Sequence, residues 1–168
     1  SDDLVVLIND GSQSFDEQII TSDGGNIHQI FVEDINNDGN MDIGTISMGG
    51  ELKIYLFDAI NNIYNGSVIA ATVDGYNSYG NFVIADIDAD QDKDIIVASE
   101  YMTVFKNDGS ENFTSTNLFS NGNINVYWVG VSDLNQDGTN DIIFSTMQNG
   151  VVWWKNNDNI NFSYEIIS

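Results

Sequence analysis

The stretch Asp86-Ile-Asp-Ala-Asp-Gln-Asp-Lys-Asp94 decides how the chain is read. Five carboxylates alternate with other residues over these nine positions, a density of negative charge that is costly unless a cation lies among them. Calcium suits such a stretch. It is a hard ion that takes about six to eight oxygens at roughly 2.3–2.6 Å, and loops of the form D-x-[DN]-x-[DN]-G supply them from alternate side chains and one backbone carbonyl.

Two further stretches repeat the pattern, Asp34-Ile-Asn-Asn-Asp-Gly-Asn-Met-Asp42 and Asp133-Leu-Asn-Gln-Asp-Gly-Thr-Asn-Asp141. A solitary acidic run reads as a solvated turn, but side-chain oxygens in register at positions 1, 3, 5 and 9 of three copies do not arise by chance. The expected side-chain ligands are Asp34, Asn36, Asp38 and Asp42, then Asp86, Asp88, Asp90 and Asp94, then Asp133, Asn135, Asp137 and Asp141. Position 7 offers a backbone carbonyl from Asn40, Asp92 or Thr139. About three calcium ions per chain are therefore expected. Gly39 and Gly138 stand at position 6, where a sharp left-handed turn suits glycine. Gln91 stands there in the middle copy, which predicts strain or a differently shaped site, offset by its higher charge. Position 12 holds Thr45, Val97 and Phe144 rather than glutamate, so the loops are not helix-loop-helix hands; strands follow them.

The chain of 168 residues is of single-domain size, and 42% hydrophobic content suffices for a core. Four lysines and no arginine face 26 acids, giving a net charge of −22. Nucleic acid is therefore not expected as a partner, nor are anionic membrane surfaces. Three calcium ions would bring the charge only to about −16, so the loaded chain stays strongly acidic. There is no cysteine to report a redox compartment, and external calcium offers cross-linking in place of disulfides, which favours an extracellular or cell-surface location. No apolar run approaches the roughly 20 residues that span a bilayer, so membrane insertion is not expected. Ser1-Asp-Asp-Leu4 is no signal peptide, which leaves a removed signal or a fragment of a longer chain.

From Asp34 to Asp86 is 52 residues and from Asp86 to Asp133 is 47, a period typical of one supersecondary unit per repeat. Short runs of β-branched and aromatic residues lie between Asn, Gly and Asp clusters, and no stretch sustains a helical period. The second unit reads as strands over Asn81–Ile87, Asp94–Ser99, Met102–Lys106 and Thr114–Phe119, closed by a turn at Ser120–Gly122. The first reads as His28–Ile35, Asp42–Met48, Glu51–Phe57 and Ser67–Val73, and the third as Asn125–Leu134, Asp141–Thr146, Val151–Lys155 and Tyr164–Ile167. Each acidic loop thus joins the first two strands of its unit. Leu7-Ile-Asn-Asp-Gly-Ser-Gln-Ser-Phe15 aligns with Phe105-Lys-Asn-Asp-Gly-Ser-Glu-Asn-Phe113, so the chain starts at a third strand, with Gln18–Thr21 as its fourth. The total is fourteen strands.

Gly80-Asn-Phe-Val-Ile-Ala-Asp-Ile-Asp-Ala-Asp-Gln-Asp-Lys-Asp-Ile-Ile-Val97 resembles the FG-GAP or VCBS repeat family, and Asn107–Phe113 resembles the second half of the same repeat. The resemblance implies an all-β chain of propeller-type repeats, about three and a half four-stranded blades, with calcium in the loop between the first two strands. It divides the chain into a half-blade over 1–27 and blades over 28–79, 80–124 and 125–168, together one repeat domain. It also implies an exported or surface protein such as an adhesion receptor, a lectin or a non-catalytic module. Three and a half blades do not close a ring within this chain. The rest of a longer propeller, association with other copies, or open stacking into a fibril would cover the unpaired blade faces.

The expected function is therefore adhesion or recognition of a carbohydrate or protein ligand. The alternative is a structural subunit that self-assembles through unclosed blades into a ring or fibril. Catalysis is not expected: His28, the only histidine, sits at a strand start without a suggestive nucleophile, and nothing nominates an open metal position beside a base. Trp153 and Trp154 should face opposite sides of one strand, and with Tyr76, Tyr79, Tyr101, Tyr127 and Trp128 could offer an aromatic platform, though blade packing accounts for most of them. Phe15, Phe113 and Phe162 recur at one repeat position and are expected in the core. Asn65, Asn112 and Asn161 match the N-glycosylation pattern, a match expected by chance in so asparagine-rich a chain.

Overall fold

The computed structural model describes residues 3–22, 25–66, 69–73, 80–119, 126–158 and 160–167, and for 69–72 and 119 the backbone only. The fold is all-β, with several small antiparallel sheets and no helix among the described residues. The chain divides into two compact units, one made of 1–34 and 39–72, the other of 35–38 and 73–168.

In the first unit, β1 (Leu4–Asn9) and β2 (Phe15–Thr21) form a two-stranded hairpin. Next come β3 (Ile27–Glu33), β4 (Asp42–Ser47), β5 (Glu51–Tyr55), the short β6 (Phe57–Asp58) and β7 (Ile63–Tyr64), and β8 (Ile69–Thr72). Strands β3, β4, β5 and β8 make a four-stranded meander. Leu4, Val6 and Ile20 of the hairpin pack with Ile43, Tyr55, Ile27 and Tyr64. Gly44 is opposite Phe31 across the β3–β4 pair, and the Phe31 ring occupies the space that a Cβ at 44 would need.

In the second unit, β9 (Asn81–Ala85), β10 (Asp94–Ala98), β11 (Met102–Asn107) and β12 (Phe113–Phe119) form one meander. A second is formed by β13 (Val126–Ser132), β14 (Asp141–Thr146), β15 (Gly150–Asn156) and β16 (Phe162–Ile166). Period-two alternation gives each sheet two distinct faces. Ile96, Ala98, Met102 and Val104 share one face of the first sheet and pack on Ile142, Phe144, Val152 and Trp154 of the second. These residues build the unit's core. Trp154 meets Phe144 edge-on at 5.1 Å and Phe162 at 5.8 Å.

The meanders of four strands agree with the propeller-type blades, and the strands leaving the acidic loops begin at the expected Asp42, Asp94 and Asp141. Three expectations change. First, 57–64 holds the hairpin β6–β7, because the Asp58 carboxylate accepts the amides of Ile60 and Asn61 and nucleates a tight turn there. Second, Phe15 is 57% exposed, whereas Phe162 covers Trp154 and Phe113 is half-buried. The reason is local: Leu7, which aligns with Trp154, is itself 61% exposed, so this face of the hairpin has no core for Phe15 to join. Third, the incoming strands end at Glu33, Ala85 and Ser132, before the expected Ile35, Ile87 and Leu134. Tyr76, Tyr79, the turn at 120–122 and the strand starts at Ser67 and Asn125 lie outside the described residues.

Candidate metal centre

Each acidic loop joins the first two strands of its meander. Its local conformation follows from two left-handed positions. Position 4 has positive φ in every copy, 58° at Asn37, 64° at Ala89 and 63° at Gln136. Position 6 does too, at 88° for Gly39, 78° for Gln91 and 92° for Gly138. Gln91 therefore adopts the glycine conformation and bears a cost of about 1–2 kcal/mol for it.

A carboxylate at position 1 stabilises this curl by accepting the amide of position 6. Gly39 donates to Asp34 at 3.0 Å, Gln91 to Asp86 at 3.0 Å, and Gly138 to Asp133 at 2.9 Å. Asn36 and Asn135 accept the amides of Asp38 and Asp137 at 3.2 and 2.8 Å, and Asp90 and Asp137 accept those of Asp92 and Thr139, both at 3.0 Å. The Thr139 hydroxyl also donates to Asp137, which lowers that carboxyl to about 2.

Position 9 has a different environment. Asp42, Asp94 and Asp141 are fully buried. Asp94 accepts the amides of Asn107 and Ile87, both at 2.9 Å, and Asp141 accepts those of Asn156 at 2.9 Å and Leu134 at 3.1 Å. Asp42 accepts the Phe57 amide at 2.9 Å. The buried carboxylate therefore ties the loop to the end of the third strand in the two later meanders, and to β6 just past the third strand in the first, a task that spacing alone did not reveal. Burial is the largest influence on Asp94 and, with Asp88 and Asp90 nearby, pushes its carboxyl to about 6 against the two amides.

Sequence reasoning also missed an asparagine at the end of that third strand. The Asn107 amide group donates to Ile35 O at 3.1 Å, and that of Asn156 donates to Ile87 O at 2.8 Å and Asn140 O at 3.2 Å. Each thus reaches the second residue of the preceding loop. Asn140 donates to Asp86 O at 2.8 Å, adding a second stitch to the middle loop. The signal was present, since Asn9, Asn107 and Asn156 occupy one aligned position.

The middle loop is where carboxylates converge. Oxygens of Asp86, Asp88 and Asp94 lie within 4.8 Å of one another. The Asp88 side chain is 4% exposed; one oxygen pairs with Lys106 Nζ and the other, Oδ1, is buried without a hydrogen-bond partner. Asp86 Oδ1 is likewise buried and unpartnered. Bare carboxylate oxygens in such a place are costly unless a cation meets them, so the donor set of hard oxygens fits calcium. Burial raises the Asp90 carboxyl, and Asp88, Asp92 and Asp86 add to that effect, whereas the bond to Asp88 raises the Lys106 ammonium. In the third loop the exposed Asp137 pairs with Lys155 at 3.2 Å. His28 is half-buried on β3.

The family model of the FG-GAP-like repeat matches residues 86–144, from the first aspartate of the middle loop to β14 of the next meander. No curated protein matches the chain. FG-GAP repeats often bind calcium, are generally non-catalytic and are typically extracellular. No helix among the described residues is long and apolar enough to cross a membrane.

Proposed function

We propose that this chain, with FG-GAP-like repeat sequence over residues 86–144, is a calcium-stabilised extracellular module that acts in adhesion or in recognition of a carbohydrate or protein ligand. The observation that carries the calcium reading is the pair of buried, unpartnered oxygens on Asp86 and Asp88 beside Asp94. Bound calcium supplies the positive charge that these oxygens lack. Around it, Asp86 holds the loop's curl through the Gln91 amide, and Asp94 fixes the loop to β11 through the Asn107 amide. The ion's role here is structural, setting the angle between β9 and β10.

The recognition surface we favour is the outer face of the β13–β16 sheet. Trp128, Gly130, Ile143, Ser145, Val151 and Trp153 share that face by register. Gly130 leaves room for the Trp128 ring to lie across it, and Trp128 remains 52% exposed. Aromatic rings presented in this way suit the apolar faces of sugars or the side chains of a protein ligand. Binding to a glycan panel, lost on Trp128→Ala while the melting temperature is kept, tests the reading; a panel and protein array with no ligand above background in calcium refutes it.

A second reading rests on the β1–β2 hairpin. Leu7, Phe15 and Ile19 share one face there, exposed by 61%, 57% and 56%. The residues aligned with Leu7 in the later repeats, Phe105 and Trp154, are only 3% and 7% exposed. Such a face invites another copy of the chain, or further blades of a longer propeller, to cover it. Calcium-dependent growth in particle mass without ligand, abolished by Leu7→Ser with Phe15→Ser, would favour a self-assembling subunit of a ring or fibril. A wild-type chain monomeric in calcium at all concentrations would rule that subunit out.

A further inference from the structure

Lys106 stands on β11 and sends its ammonium into the middle loop, onto Asp88. The two ends of this pair differ in setting. The Asp88 side chain is 4% exposed, with its second oxygen unpartnered, while the lysine is 31% exposed and has a path to solvent. The aligned residue in the first repeat is Leu56, which has no charge to offer. In the third repeat it is Lys155, whose partner Asp137 is exposed, so that both ends stay in water. Of these two pairs, that of the loop with five carboxylates sets its cation against a buried side chain.

We propose that Lys106 is a built-in counter-ion of the middle loop, holding Asp88 when no metal is bound and leaving it when a divalent cation enters. This rests on the calcium reading of the loop. An ammonium is a compact point charge on a flexible stem, so it can neutralise one oxygen but cannot supply the many short contacts that calcium makes with several. The ion-free loop therefore stays folded at the expense of affinity, because incoming calcium must displace the lysine and share the loop with a nearby like charge. The middle site then releases its ion more readily than its five carboxylates would suggest, and it responds to calcium by freeing a lysine at the surface of β11.

The test is titration of calcium chloride into the chelator-stripped full chain, wild type against Lys106→Met and Lys106→Arg, with thermal melts of each in chelator and in saturating calcium. The proposal expects Lys106→Met to melt lower than wild type in chelator, to converge with it in calcium, and to bind at one site about tenfold tighter, which is about 1.4 kcal/mol. Lys106→Arg should keep the ion-free melt and bind no tighter than wild type. Wild type that binds calcium while Lys106→Met binds equally or more weakly overturns the counter-ion role alone. Wild type that takes up no calcium overturns the calcium reading, and the displacement with it. Should Lys106→Met fail to fold in chelator yet fold in calcium, the role is supported; an Arg variant as tight as the Met variant overturns it.

Discussion

Replacing Asn156 separates the contribution of a single buried amide from that of the volume it fills. The side chain is 1% exposed, donates to Ile87 O at 2.8 Å and Asn140 O at 3.2 Å, and has an Oδ1 without a partner. Asn156→Ala removes two donations worth about 1 kcal/mol each and strands the buried Ile87 carbonyl for about 1 more. It also removes the unpartnered oxygen, which returns about 1 kcal/mol, so the net loss is about 2 kcal/mol. In a chain of this size that lowers the melting temperature by about 4–8 °C. Asn156→Asp keeps the volume but points carboxylate oxygens at two carbonyls, and should cost more, about 4 kcal/mol. Thermal and urea unfolding in chelator read both variants free of any metal effect. An Asp variant as stable as the Ala variant, or an Ala variant within about 0.5 kcal/mol of wild type, would refute the claim that this donation holds the loop.

Calcium removal should lower the melting temperature, and excess ion at about 100 times its dissociation constant should restore about 2.7 kcal/mol per site. If the Gln91 loop is the weakest site, Asp88→Ala with Asp90→Ala costs less of that gain than Asp34→Ala with Asp38→Ala; equal losses by calorimetry in calcium would contradict the ranking. Gln91→Gly relieves a left-handed residue at φ 78° and should raise stability by about 1 kcal/mol, read as a rise in the urea midpoint. For pH, the folded carboxyl of Asp94 lies near 6, above its unfolded value near 3.9, so its contribution is fully present below about pH 4 and lost as pH rises through 6. The chelated chain should lose about 3 kcal/mol across that window, Asp94→Asn should flatten the profile, and a slope unchanged in the variant would disprove the assignment.

Much of this architecture was legible because the acidic pattern marks where one strand ends and the next begins. Asp42, Asp94 and Asp141 open strands in the structure as the repeat predicted. What the spacing could not separate was carboxylates with different tasks. Asp86 and Asp88 keep buried oxygens free of hydrogen bonds, whereas both oxygens of Asp94 accept backbone amides. Nor does a strand pattern tell which neighbour covers a face, so Phe15 and Phe162 read alike in sequence yet differ in burial. The Lys106–Asp88 pair joins residues whose adjacency depends on β10–β11 pairing, and charge counting alone could not single it out. The β6–β7 hairpin was hidden because Asp58, Asn61 and Asn62 look like any polar loop until the Asp58 turn is seen.

The asparagine contacts run backwards along the chain, from Asn107 to Ile35 and from Asn156 to Ile87, over 72 and 69 residues. A ribosome adding about 5–20 residues per second needs roughly 4–14 s to make that much chain. The first and second loops therefore wait several seconds after synthesis before the asparagine that will hold them is made. A codon-level slowdown shortly after Asp42 or Asp94 prolongs that interval, and one after Asn156 does not.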